Sequence, residues 1–433
     1  MTTYTMGSLL RFFVPLGLAA CLVSITHAII SSTLAGADDP ELAIAAYALG
    51  MSLLGLTERP AVLMRQTCSA LVKDKRSFRA ISGVTWIVIG ATVSFGCVIC
   101  FTPVGGGLFR YVYGADAALV PDIIAVYRWL MWVSVFSVLR CLYHGVIITQ
   151  MRTKWVTIAM VVRLFVMLGL SQYFIRTNGV SGGEIGAVIF LAGMMIEAAV
   201  CYAEGRTLTR KLPERDPAHN VTTKRHVFTF YRPLLLSSLI VVLVVPVLNA
   251  LLGKTVDVEL SIASFAVAQS LFFVIMSVFT YIHQIVLNFY RTSPGLVFRF
   301  QWIVCLLPAA IMAALSWTPV GPFVLHDVMG VSGRLADAAL AVMQAFVPLA
   351  LLLTWVDFGN GFLMLFRRTN VFMWSQTANA ALSIALLFLL VALAPHWNGV
   401  IGPIAITAGS AAELGVVAFA LYRGRHEFVP ARS

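Results

Sequence analysis

Charge is scarce in this sequence. Only 11% of its 433 residues are Asp, Glu, Lys or Arg, and 19 residues are acidic. Soluble globular domains carry roughly 25% charged residues, so a water-soluble body of ordinary size is excluded. No HExxH and no phosphate-binding glycine loop occurs. Their absence removes the common zinc-hydrolase and intrinsic ATPase chemistries, and the chain is not expected to be an enzyme. The seven cysteines (Cys21, Cys68, Cys97, Cys100, Cys141, Cys201 and Cys305) are scattered through apolar stretches, which implies neither a disulfide framework nor a metal cluster. Cys97 and Cys100 make a CxxC, but inside an apolar helix, where free thiols pack like small hydrophobes. The alternating pattern of a membrane β-barrel is missing as well. The start MTTYTMGSLLRFF lacks a signal-peptide cleavage pattern, and the apolar run it opens is long enough to span a membrane.

What the sequence has is hydrophobic length. Sixty per cent of residues are hydrophobic, and apolar runs of about 20 residues, the length a helix needs to cross hydrocarbon, recur throughout. Breaks at charged, proline and glycine positions predict helices over 9–34, 42–72, 80–101, 120–148, 155–175 and 184–206, then 228–252, 260–290, 298–317, 338–366, 371–394 and 399–422. With a cytoplasmic amino terminus, twenty Lys and Arg fall on the cytoplasmic side, and only Arg110, Arg176, Lys254 and Arg334 fall opposite. The positive-inside rule is thereby met at every loop, so both termini, including Arg425 and Arg432, are expected in the cytoplasm of a multi-pass protein of the plasma or cell inner membrane. The net charge of +11 then reflects topology signals beside anionic lipid rather than nucleic-acid binding. Asn220-Val-Thr222 matches a glycosylation pattern but lies in a cytoplasmic loop, where it is not expected to be used.

An internal repeat organises the chain. Glu41-LAIAAYALGMS-Leu53 returns as Glu259-LSIASFAVAQS-Leu271, and Pro15 as Pro233, both 218 residues on. Further along the offset is 216: Thr102-Pro-Val-Gly105 returns as Thr318-Pro-Val-Gly321, Met151-Arg-Thr-Lys154 as Arg367-Arg-Thr-Asn370, Gly183-xx-Gly186 as Gly399-xx-Gly402, and Glu197 as Glu413. The expected fold is all-α and membrane-integral, with twelve transmembrane helices in two six-helix parallel repeats around a central cavity. It divides into an amino-terminal lobe over 1–206, a cytoplasmic loop over 207–227 and a carboxy-terminal lobe over 228–433. An even helix count per half relates the repeats about an axis along the membrane normal, as in transporters that rock between two access states.

Proline near the start of the first and seventh helices, GxxG opening the sixth and twelfth, and the doubled six-helix plan resemble the multidrug and toxic compound extrusion (MATE) fold of the MOP flippase superfamily. Within it, PLGLAACLVSITHAIISSTLAG followed by IAAYALGMSLLGLTERP, and FYRPLLLSSLIVVLVVPVLNALLGK, are most similar to the progressive ankylosis family. The resemblance implies a secondary transporter or flippase that moves pyrophosphate, a carboxylate, a nucleotide or a lipid-linked pyrophosphate. Drug or cation extrusion is the alternative, with a membrane-embedded enzyme or scaffold behind it. One departure concerns coupling. No Asp or Glu lies between Arg11 and Asp38, whereas many proton-coupled extrusion proteins carry an acid in helix 1.

Polar residues inside the spans mark the candidate site. Six arginines lie there: Arg59, Arg65, Arg128, Arg140, Arg163 and Arg232. Guanidinium cannot shed its charge, and at mid-bilayer it costs about 2.5 to 3.5 kcal/mol even on the mildest scales, so such residues face protein or a water-filled cavity. The repeat partners of Arg65, Arg128, Arg140 and Arg163 are His283, Gln344, Val356 and Asn379, so the first half keeps charge where the second is neutral. Around a cavity these forks suit oxyanions. Equally, Arg128 and Arg163 lie close enough to helix ends to snorkel, and Glu58 and Arg65 share a helix face and fit a structural ion-pair network. Arg59, Arg65 and Arg140 lead the substrate candidates, followed by Arg128, Arg163, His144 (one turn after Arg140) and His283 with Gln284, which repeat Arg65 and Gln66. Among the intramembrane acids, Glu197 and Glu413 are repeat equivalents with an expected shared packing or capping role. Asp357, which has no acidic repeat partner, and Glu58 are the cation-coupling candidates. No organic cofactor or metal is expected, only Na⁺ or H⁺ as coupling ion. The partners are the lipid bilayer and a small anionic or lipid-linked substrate, with the chain acting as a monomer.

Overall fold

In hydrocarbon no water is available to a free amide, so apolar runs of this length close their own hydrogen bonds as helices. The computed structural model describes residues 4–113, 117–217, 219, 221–252, 254–329, 331 and 333–423. Asn220, Arg425 and Arg432 lie outside them. The helices are α1 (Met6–Leu34), α2 (Pro40–Thr57), α3 (Arg59–Leu71), α4 (Lys75–Phe101), α5 (Pro103–Gly107), α6 (Val120–Thr149), α7 (Lys154–Arg176) and α8 (Gly183–Arg210). They continue as α9 (Lys224–Leu252), α10 (Val258–Ser277), α11 (Ile282–Phe289), α12 (Pro294–Trp317), α13 (Val320–Phe323), α14 (Gly333–Leu365), α15 (Asn370–Leu393) and α16 (Ile401–Arg423). No strand occurs among the described residues. Among the described residues ten segments are long and apolar enough to cross a membrane, and all twelve expected spans are helical.

Two of those spans are broken rather than continuous. The run expected over 42–72 divides into α2 and α3 at Glu58, with Pro60 in the first turn of α3. Proline lacks the N–H that would continue the helix and disfavours helical backbone before it. The run expected over 260–290 divides at the equivalent register, between α10 and α11, although Val278 stands where the first half has Pro60. There α1 presses on the break, since a Cβ on Gly17 would lie 2.7 Å from the Val278 carbonyl oxygen.

The repeated motifs are repeated pieces of backbone. Thr102 and Thr318 each accept a hydrogen bond from the amide two residues on, Val104 and Val320, at 3.3 Å. The chain then turns so tightly that a Cβ on Gly105 would sit 2.0 Å from the Ile99 carbonyl oxygen, and one on Gly321 1.8 Å from that of Leu315, so only glycine fits. A π-helical turn follows each, Leu108–Val112 and Val324–Val328. Met151 and Arg367 both stop their helices in the left-handed region, at φ 58 and 57.

The chain forms two compact units, Leu18–Tyr231 and Met1–Gly17 with Arg232–Ser433. In the first, α6 packs against α2, α3, α4 and α8, and α8 against α7. In the second, α14 packs against α10, α11, α12 and α16, and α16 against α15, so the pairings repeat. The start of α1 completes the second unit through Phe12 on Phe289 and Phe13 on Phe300, at 5.2 and 5.4 Å.

The segment after α8 is tied to the start of α4. Asp74, 1% exposed, caps α4 by accepting from the Ser77 amide at 2.7 Å, and its second oxygen accepts from the Asp216 amide at 2.9 Å. Burial alone would raise the Asp74 carboxyl, but the bonds from the Asp216 and Ser77 amides and the Ser77 hydroxyl hold it below its ordinary value. A depressed folded-state value means the contribution is fully present above the unfolded value, about pH 4, and is lost as pH falls through the folded one. Asp74→Ala should therefore cost about 1 to 2 kcal/mol of unfolding free energy at neutral pH. Its difference from wild type should shrink in acid. Unfolding curves of both proteins in one detergent, compared across pH, check this.

Candidate functional site

The polar centre of the first unit is a carboxylate. Glu197 on α8 is fully buried, and each of its oxygens takes one guanidinium: Arg140 of α6 at 3.0 Å and Arg163 of α7 at 2.8 Å. Helical spacing on α6 supplies the rest, because Ser137, Arg140 and His144 share one face. Arg140 also reaches Ser137 Oγ at 3.2 Å and Glu58 Oε1 at 3.4 Å, and the Ser137 hydroxyl donates to Glu58. His144 Nε2 lies 3.8 Å from Glu197. Arg163 stands over the Phe190 ring at 4.8 Å, and His27 of α1 stacks on that ring at 5.6 Å. Arg65 acts electrostatically on His144. Arg140 and Arg163 thus share Glu197, and Arg140 reaches Glu58 as well. Gly193, one turn before Glu197, makes the approach of α7 feasible, since a Cβ there would lie 2.7 Å from Met167 and 3.2 Å from the Arg163 stem.

Several of these polar atoms have no hydrogen-bond partner. Arg140 Nε, Arg163 Nε and Nη2, and both ring nitrogens of His144 are buried without a hydrogen-bond partner among the described residues. Buried donors of this kind cost about 1 to 3 kcal/mol each when left unmade, so the arrangement holds binding capacity that its own carboxylates do not use.

The second unit repeats the carboxylate and changes what surrounds it. Glu413 on α16, 2% exposed, accepts from Asn379 at 2.6 Å and from Gln376, both on α15, and from Asn360 on α14. Asn379 stands at the register of Arg163 and Asn360 at that of His144. Gly409 repeats Gly193, where a Cβ would lie 2.6 Å from the Asn379 carbonyl oxygen. Amides therefore do for Glu413 what guanidiniums do for Glu197. Asp357 on α14 accepts from the His283 backbone amide at 2.9 Å and lies 3.0 Å from His283 Nδ1, which fastens the start of α11. Gln284 is fully buried beside it.

The structure thus brings together Glu58, Arg140, Arg163 and His144, with Arg65 in electrostatic reach, and joins His283 to Asp357. Arg163 is 1% exposed, so it is held inside the bundle and does not snorkel. Arg59 and Arg128 stand apart at exposed positions, Arg128 over the Phe101 ring at 5.8 Å. Sequence reasoning did not single out Ser137, His27, Gln376 or Asn360. The repeat offset carried a signal for Asn360, the counterpart of His144.

No known family profile matches the sequence, and no curated protein matches it. Solved structures do. A MATE protein in the straight conformation matches with a TM-score of 0.72 at 15% identity, over 98% of this chain and 96% of that one. An outward-facing multidrug resistance MATE family transporter of the MOP superfamily matches with a TM-score of 0.71 at 14% identity, over 98% and 95%. A MOP superfamily transporter from Pyrococcus furiosus, described by a binding pocket of reverse polarity, matches with a TM-score of 0.71 at 15% identity, over 98% and 95%. The chain has the MATE fold. It is all-α, with two six-helix repeats, as the resemblance implied.

On this MATE framework the two repeat-equivalent carboxylates should respond differently to neutralisation. Glu197→Gln strands two buried guanidiniums and should cost about 3 to 5 kcal/mol. Glu413→Gln strands no cation and should cost markedly less. Thermal unfolding of the two variants in one detergent decides, and equal losses would show that Glu197 does not anchor the arginines.

Proposed function

We propose that the chain is a secondary transporter of an anionic substrate, working by alternating access. The observation that carries the reading lies in the first unit: Arg140 and Arg163 gather on Glu197 and Glu58, and Arg140 Nε and Arg163 Nε and Nη2 are buried with no acceptor among the described residues. An oxyanion supplies both the charge and the acceptors. The MATE fold supports transport, and a MOP superfamily transporter is described by a reversed pocket polarity taken to suggest a different function, so pocket charge varies within this fold. The resemblance to the progressive ankylosis family adds the substrate classes: pyrophosphate, a carboxylate, a nucleotide, or a lipid-linked pyrophosphate moved as by a flippase. Arg65 is the contact we favour, since replacing it leaves the Arg140–Glu197 and Arg163–Glu197 pairs in place. Both termini in the cytoplasm, a plasma or inner membrane location and monomeric action belong to the same reading.

Drug extrusion is the second reading, favoured by the structural match to a multidrug resistance MATE transporter. Asp357 serves either reading as coupling site for Na⁺ or H⁺, supported by its half-buried carboxylate on His283. Asp357→Asn should abolish gradient dependence in proteoliposomes while the protein still folds; gradient dependence unchanged from wild type would sink that role.

For the substrate, Arg65→Gln keeps hydrogen bonding and deletes charge, and should weaken anion binding by about 1.5 to 3 kcal/mol. Lysine should recover only part, because a point charge lacks the fork. Titration of purified variants with pyrophosphate, citrate, nucleotides and a lipid-linked pyrophosphate, with a lipophilic cation as control, reads this out. Preference of the wild type for the cation, or anion binding indifferent to Arg65, would return the arginines to a purely structural role.

A further inference from the structure

A cavity of about 570 Å³ opens in the first unit where α4 begins and α8 ends, and none of its lining residues belongs to the network around Glu197. Its walls are basic: Lys75 and Arg79 from the first turn or so of α4, Arg206 and Arg210 from the last turns of α8. Lys75 is matched by Glu214 at 2.7 Å. Arg79, Arg206 and Arg210 form no salt bridge among the described residues. Glu214 also feels the charge of Arg79, but three guanidiniums on one concavity still concentrate positive charge that an anion between them would offset.

Aromatic rings line the rest. Tyr143 of α6 meets Tyr202 of α8 edge to face at 5.1 Å and Phe78 of α4 at 6.1 Å. Arg206 lies over the Tyr202 ring at 5.7 Å. Tyr143 lies against α8 because Gly205 leaves room, since a Cβ there would sit 2.5 Å from the tyrosine ring. The frame is held as well: Asp74 binds both the α4 start and the Asp216 amide, and the Lys75 amide donates to the Pro213 carbonyl at 2.9 Å.

Basic pockets between transmembrane helices at the membrane surface take phosphoryl headgroups, and guanidinium forks match phosphate oxygens two at a time. Beyond the cavity, α4 exposes Trp86 and Ile87, at 61% and 58%, an apolar flank fit for acyl chains. We propose that this cavity binds a phosphate ester, its oxygens on Arg79, Arg206 and Arg210 and its remainder on Tyr143 and Tyr202. A lipid headgroup and a soluble phosphate ester share that chemistry, and the site stands independently of the transported substrate.

The test presents the full-length protein in detergent with phosphatidic acid, with phosphatidylcholine of the same chains, and with glycerol 3-phosphate, and reads binding by native mass spectrometry. Phosphatidic acid should bind at least about tenfold better than phosphatidylcholine, and Arg79→Gln and Arg206→Gln should each lose about tenfold. Arg79→Lys and Arg206→Lys, which keep the charge if a glutamine variant folds poorly, should retain part of the affinity. Arg225→Gln, an exposed arginine outside the cavity, should leave binding unchanged. Glycerol 3-phosphate binding with the same arginine dependence extends the site to soluble esters, whereas binding by phosphatidic acid alone assigns it to lipid. Equal binding of phosphatidylcholine and phosphatidic acid with no soluble ester bound, or losses in Arg225→Gln that match those in Arg206→Gln, would overturn the proposal.

Discussion

One buried carboxylate organises the first unit. A guanidinium inside a membrane cannot discard its proton, so its position is decided by where a counter-charge and acceptors stand. Glu197 supplies both, one oxygen to α6 through Arg140 and the other to α7 through Arg163. Three helices are thereby fixed in register by contacts that tolerate little displacement, because in a low dielectric a broken pair leaves an uncompensated charge. Glu58 extends the hold to the junction of α2 and α3, through Arg140 and Ser137.

The second unit separates what that carboxylate needs from what the arginines add. Glu413 keeps the position, the burial and the adjacent glycine, yet its donors are the amides of Gln376, Asn379 and Asn360. A buried carboxylate needs hydrogen-bond donors, and neutral donors meet that need. The same helix pairings form around both. The charge in the first unit is therefore not demanded by the fold, and the difference between the units marks where the chain departs from its own repeat.

The spans, their order and their duplication were legible because hydrophobic length and a fixed offset are properties of the chain itself. The breaks at Glu58 and after Ser277 were not read. Pro60 signalled the first, and Val278 gives no such signal for the second, which lies where Gly17 of α1 packs against it. The partners of the arginines were beyond reach for a different reason. Arg140 and Glu197 are 57 residues apart, and apolar runs fix where a helix lies in depth but not which way its few polar residues face. Gln376 and Asn360 escaped notice because a neutral amide in an apolar run looks like tolerated polarity until a carboxylate is found against it.

Electrostatics gives the two units different freedoms, and this bears on how a carrier with this fold would divide its labour. Around Glu197 a change in charge at any member strands another, so the network suits a fixed field that attracts and orients a ligand without itself reacting. Around Glu413 and Asp357 the partners are amides and one imidazole, and a cation arriving or leaving there strands no fixed guanidinium. On the reading proposed above, an anion site in the first unit and an ion-coupling site in the second are built on one duplicated backbone by changing the residues around each carboxylate. The exchange is small in sequence terms: Arg140 for Val356, Arg163 for Asn379 and His144 for Asn360. Its effect is large, because charge inside a membrane acts over distances that hydrogen bonds do not.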